Sequence, residues 1–284
     1  MNLVDAILNL DRRIIYTIVA LCVIVPLLLP LKIPIVPTPE TRGVFDAIEK
    51  LPAGSHILIA SDFSPSSKPE LLPVLHSILA QCFNKGIKPD LVTLWPDGPG
   101  LMQTAIETEA ARYNKVSGTD YAFLGFRYGS LALIIGMGSS ITGTFTTDFY
   151  GKPTANMPIY QDLRKLSQYK YIVDIAAGAT VETWLAYASK QEGVPMGVCV
   201  TAVSATQYYP YYQANQLTGI AGGMKGSAEY EKLVGDAYGV PPGDATKGMA
   251  AQSFAHIFIV LSIIIGNICY FQLRKRERNE RRAS

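Results

Sequence analysis

Asp62 and Asp97 each close a short apolar run and open a polar turn, within Ser61-Asp62-Phe63-Ser64 and Trp95-Pro96-Asp97-Gly98. If both turns end strands of one sheet, the two carboxylates face a common crevice and can move a proton or grip a polar ligand. Arg127 stands at a third such turn and offers a countercharge, while Gly178, Thr180 and Ser204 stand at the next two. Asp62, Asp97, Arg127, Gly178, Thr180 and Ser204 thus form the candidate ligand crevice. The same aspartates serve equally well as turn and cap residues.

A second candidate is the Gly-rich stretch Gly222–Glu229, where Gly223, Lys225, Gly226 and Ser227 could cradle an anion at a helix start. Glu229 and Glu231 would repel that anion and favour a plain helix start. The run Gly136–Gly143 lacks the lysine of a phosphate loop and the Gly-x-Gly-x-x-Gly spacing, so it reads as a closely packed helix. No Ser/His/Asp or Cys/His set and no metal-ligand spacing is evident, and no catalytic residue, cofactor or metal is expected.

Strands and helices must position these residues. His56–Ser61, Asp90–Trp95, Asp120–Phe126, Tyr171–Ala176, Met196–Val203 and Leu217–Ala221 are short apolar runs of buried-strand type. Helical patterns lie over Arg42–Lys50, Lys68–Lys85, Leu101–Tyr113, Tyr160–Ser167, Thr180–Gln191 (with Thr180 as N-cap) and Ser227–Val234. Continuous apolar strands alternating with helices imply an open, mainly parallel Rossmann-like sheet covered on both faces.

This α/β domain is bracketed by apolar segments, so the expected fold is one inserted between two transmembrane helices. Residues 1–13 form an N-terminal segment, in which Met1–Leu10 has the spacing of an interfacial helix. Residues 14–36 form the first span, kinked near Pro26, and 37–42 a Pro-rich stalk. The domain runs over 43–248, the second span over 249–273, and 274–284 is a basic tail. That tail holds six basic residues against two acidic ones, and Arg12 and Arg13 precede the first span. The positive-inside rule then puts both ends in the cytoplasm and the domain outside the cytoplasmic membrane.

Residues 33–250 carry 16 basic and 19 acidic side chains, a poor balance for neutralising phosphates, which argues against nucleic acid as a partner. Cys82 and Cys199 read as buried small side chains more readily than as a disulfide. Tyr208, Tyr209, Tyr211 and Tyr212 cluster around Pro210, as at a protein interface. In the second span Gln252, His256 and Asn267 share one helical arc with Gly266 beside it, the pattern of helix contact within lipid. The expected partners are the bilayer and homo- or hetero-oligomeric membrane proteins. Three functions follow: a non-catalytic scaffold subunit, an extracytoplasmic ligand-binding or sensing module, and a membrane-bound enzyme using Asp62 and Asp97.

Overall fold

Six apolar segments hydrogen-bond side by side as β1 (His56–Asp62), β2 (Lys88–Thr93), β3 (Ala122–Phe126), β4 (Tyr171–Ala176), β5 (Met196–Val200) and β6 (Ile220–Gly222). All neighbours are parallel, in the order β3-β2-β1-β4-β5-β6. The computed structural model describes residue 7, residues 10–29 and residues 34–283. The chain divides into two units, Ile35–Thr246 and the terminal segments Met1–Pro34 with Lys247–Ser284.

In the first unit the strands are buried on both faces, which is why they read as unbroken apolar runs rather than alternating ones. Ile57, Ile59, Leu91, Phe123, Val173, Ile175 and Cys199 pack on one side, with side chains from α2 (Pro39–Glu49), α3 (Lys68–Lys85), α4 (Pro99–Arg112) and α9 (Gly223–Tyr238). Leu58, Ala60, Val92, Leu124, Ile172 and Val198 pack on the other. That side is closed by α5 (Ser130–Ser139), α6 (Ile141–Thr144), α7 (Thr180–Trp184) with the π-helical turn Leu185–Lys190, and α8 (Ala202–Gln213). Cys82 and Cys199 are buried free thiols.

Several boundaries differ from the sequence expectation. The helix expected over Tyr160–Ser167 is instead two 3-10 turns, Pro158–Tyr160 and Leu166–Gln168. The Gln168 side chain accepts from Arg164 N at 2.7 Å and Lys165 N at 3.0 Å, so local side-chain bonds replace the helical ladder. The stalk is shorter than 37–42, because Pro39 already occupies the first turn of α2, where its missing N–H costs nothing.

Two buried carboxylates on α9 hold the places where the chain enters and leaves this unit. Glu229 accepts from Thr38 N at 3.2 Å, Thr38 Oγ1 at 2.8 Å and Thr41 Oγ1 at 2.6 Å, and pairs with Lys225. Glu231 accepts from Gly243 N at 3.2 Å, Ala245 N at 3.0 Å and Thr246 N at 2.9 Å. It thereby satisfies the orphan donors that begin α10 (Asp244–Ala283).

In the terminal unit, α1 (Arg12–Leu28) is 17 residues long, contains Pro26, and is capped by the Asp11 side chain on Arg13 N. It stops because Leu29 precedes Pro30 and adopts an extended conformation, as residues before proline do. At 1.5 Å per residue α1 reaches about 25 Å, short of the roughly 30 Å hydrocarbon layer. Residues 30–33 of the first expected span lie outside the described residues, as does the Met1–Leu10 helix apart from Ile7 and Leu10. Among the described residues one helix is long and apolar enough to cross a membrane, the 33-residue stretch Asp244–Arg276 of α10. It contains the whole second span expected at 249–273, and most of its large apolar side chains are exposed.

Candidate functional site

The strand order reverses direction between β1 and β4, and in open α/β sheets ligands bind beyond the strand ends at such a switch point. Asp62 is the last residue of β1 and sits there, fully buried. Its Oδ1 accepts from Leu94 N at 2.6 Å and Thr93 Oγ1 at 3.2 Å, and its Oδ2 from Trp184 Nε1 at 3.0 Å. One carboxylate therefore ties the ends of β1 and β2 to the helix that follows β4.

The neighbouring acid is not Asp97 but Asp174. Ala60 pairs with Asp174 and Asp62 with Ala176, so Asp62 and Asp174 are diagonal neighbours on one face of the sheet. Asp174 is also fully buried; Thr180 Oγ1 donates to its Oδ2 at 3.4 Å, and no protein donor reaches its Oδ1. Burial raises both acids above the usual carboxylate range, and the negative charge of Asp62 raises Asp174 further. Burial and mutual repulsion thus both favour the protonated form at this pair.

Aromatic side chains close the space above the pair. A Cβ on Gly178 would lie 2.8 Å from Trp95 Cζ2, so the indole occupies the place an L side chain would take. Trp184 is wholly buried, and Tyr208 donates to Gly178 O at 3.3 Å and to Glu182 Oε2 at 3.2 Å. Trp95 thus packs on Gly178, and Trp184 is bonded to Asp62. Comparison with protein families, curated proteins and solved structures finds no match.

Of the other expected crevice residues, Thr180 reaches the aspartate pair and Gly178 packs against Trp95. Asp97 is exposed in the turn after β2. Arg127 is exposed too, and its guanidinium donates to Thr147 O at 3.3 Å and Thr147 Oγ1 at 3.1 Å, so it is no countercharge. Thr180 is not the N-cap of α7; Ala179 holds that position and the Thr180 hydroxyl turns to Asp174. Ser204 belongs to the cap of α8, where Thr201 Oγ1 donates to its Oγ at 3.0 Å.

The expected anion loop is also redirected. Lys225 pairs with Glu229, and the buried Ser227 donates its hydroxyl to Glu70 O. A Cβ on Gly226 would lie 2.5 Å from the carbonyl carbon of Ala221, so this glycine serves the close approach of α9 to β6. Gly223, with φ of +63°, is the bend between those two elements.

The tyrosine cluster is helical, in α8. Tyr208 is fully buried and so cannot reach an external partner, whereas Tyr211 and Tyr212 are half-buried and Tyr209 is exposed. On α10 Gln252, His256 and Asn267 are exposed, and a Cβ on Gly266 meets nothing within 4 Å.

Sequence reasoning missed Asp174, Trp184 and Asp90. Asp90 lies on the same sheet face near the start of β2, accepts from Tyr169 Oη at 2.6 Å, and is pushed up to about 7 by burial against that hydrogen bond. An aspartate inside an apolar strand that both faces bury was the available signal. Among the described residues no group of three or more His, Cys, Asp or Glu side chains is placed to hold a metal ion.

Proposed function

We propose that the chain is a membrane-anchored, non-catalytic subunit of an oligomeric membrane complex, presenting its Rossmann-like domain outside the cytoplasm. The observation that carries this reading is the long apolar helix Asp244–Arg276, in a chain whose switch-point acid, Asp62, has both oxygens bonded internally. With Asp62 bonded internally, the outward surfaces remain to act. Foremost is the exposed apolar side of Asp244–Arg276, which also carries Gln252, His256 and Asn267. Asn267 donates its amide to Ile263 O at 2.8 Å, leaving its oxygen as an acceptor for a neighbouring helix.

The basic tail supports cytoplasmic placement of the C-terminus. A membrane embedding of residues 14–36 would add a second pass and place the N-terminus on the same side. A second reading, a small-ligand sensing module, is favoured by the rim of the crevice, where Trp95 is half-buried and Asp97 and Tyr128 are exposed. An enzyme using Asp62 and Asp97 has less support, because Asp62 is fully buried with both oxygens bonded while Asp97 is exposed in the turn.

The test is the mass of the intact particle after gentle detergent extraction. The expected particle holds more than one 30.9 kDa chain or an additional subunit, and Asn267→Leu shifts it to lower mass. A lone chain in the mildest detergent that extracts it overturns the reading.

A further inference from the structure

We propose that α7 and the π-helical turn after it form a proton-held latch over the strand ends, closed while Asp62 and Asp174 share a proton and released when that proton leaves. The inference does not rest on the proposed function. Three features of the geometry carry it. First, the two carboxyl groups are diagonal neighbours on adjacent parallel strands, both fully buried, and Asp174 Oδ1 has no partner, so a proton between the two acids would satisfy it. Second, α7 is docked to the pair at both ends, through Thr180 on Asp174 and Trp184 on Asp62. Third, the segment that continues α7, Leu185–Lys190, is π-helical, an uncommon geometry that occurs as single turns beside functional sites.

The surroundings offer no charge to replace the proton. Glu182 on α7 itself adds negative potential at Asp174, and Tyr208 from α8 bonds to Glu182. From β5 the thiol of Cys199 is raised by its burial and, to a lesser degree, by Asp174. The β2 end contributes Thr93 and the Leu94 amide to Asp62, while Asp90 on that strand is taken by Tyr169. No lysine or arginine among the described residues forms an ion pair with either member of the pair. Burial already holds the protonated form above the ordinary carboxylate range. When the proton passes to water, two anions remain in a dry site, and the cheapest relief is to admit solvent by lifting α7.

Both tryptophans of the chain, Trp95 and Trp184, lie at this site, so intrinsic fluorescence reports it directly. In the full chain in detergent, raising the pH from 5 to 9 is expected to move the emission to longer wavelength. Acrylamide quenching should rise severalfold and amide exchange over residues 180–190 at least tenfold, after correction for intrinsic exchange, with far-UV circular dichroism unchanged. Asp174→Asn, which mimics the protonated acid, should remain closed throughout. If that variant fails to fold, the carboxyl stretching band in the infrared spectrum of the Asp90→Asn chain, which lacks the third aspartic acid raised by burial, replaces it, and its loss should coincide with the fluorescence change. The proposal is overturned if emission and quenching stay constant while the carboxyl band disappears, if they stay constant across the whole range, or if a folded Asp174→Asn keeps the transition.

Discussion

Trp184→Ala should destabilise the domain by about 3–5 kcal/mol, the range for removing a large aromatic side chain from a packed core. Trp184 is wholly buried, and its indole also supplies the donor for Asp62 Oδ2. The truncation therefore leaves a cavity and an under-satisfied carboxylate together, at the point where β1 and β4 part. For a domain of this size the loss corresponds to a fall in Tm of about 6–20 °C. Trp184→Phe separates the two effects, because it keeps most of the volume and deletes the donor, at about 1–3 kcal/mol. Thermal unfolding of both variants, followed by far-UV circular dichroism, checks the ranking. If Trp184→Ala costs no more than Trp184→Phe, the indole is not the keystone described here.

Stability should fall as the pH rises from about 4 to 7, contrary to the usual behaviour of carboxylates held by ion pairs. Asp90 shows the sign. Its ordinary value is 3.8 and burial pushes it up to about 7, so between those values the folded chain holds a proton that the unfolded chain has released. Stability from this group is complete below the lower value and is lost as the pH climbs through the upper one, with a slope of up to about 1.4 kcal/mol per pH unit. Asp62 and Asp174 act in the same direction. His56 acts the other way, because burial lowers its imidazole from 6.5 to about 4 and so subtracts stability as the pH falls through that range. Asp90→Asn should flatten the decline and His56→Gln should steepen it. Urea midpoints from pH 4.5 to 8 measure both. A midpoint that climbs with pH in the unaltered chain, or a slope indifferent to Asp90→Asn, contradicts the burial argument.

The sheet was legible because its strands are buried on both faces and so stand out as unbroken apolar runs. Tyr171–Ala176 and the helix Lys68–Lys85 lie where their patterns put them, the latter closed by Gly86 in the left-handed region. β2 was displaced, starting at Lys88 and ending at Thr93, because the Thr93 hydroxyl accepts from Trp95 N and turns the chain early. The candidate site was half legible. Asp62 follows from the rule about strand ends, but its partner does not. Asp174 lies inside Tyr-Ile-Val-Asp-Ile-Ala, where hydropathy alone registers a strand, and only the register of β1 against β4 brings the two acids together. Trp184, more than a hundred residues from Asp62 in sequence, is a contact that no local pattern encodes. Gly226 and Gly178 looked like ligand cradles because close packing against backbone or an indole asks for the same absent side chain.

The account as a whole depends on Asp244–Arg276 lying in lipid with its arginine-rich end inside and the α/β domain outside. Trypsin added to sealed, right-side-out membrane vesicles tests this directly. The expected result is cleavage within residues 35–246 and an intact Arg274–Arg282 tail, in a fragment that alkaline carbonate leaves in the membrane. A trimmed tail beside an untouched domain, or release of the chain by carbonate, would contradict it.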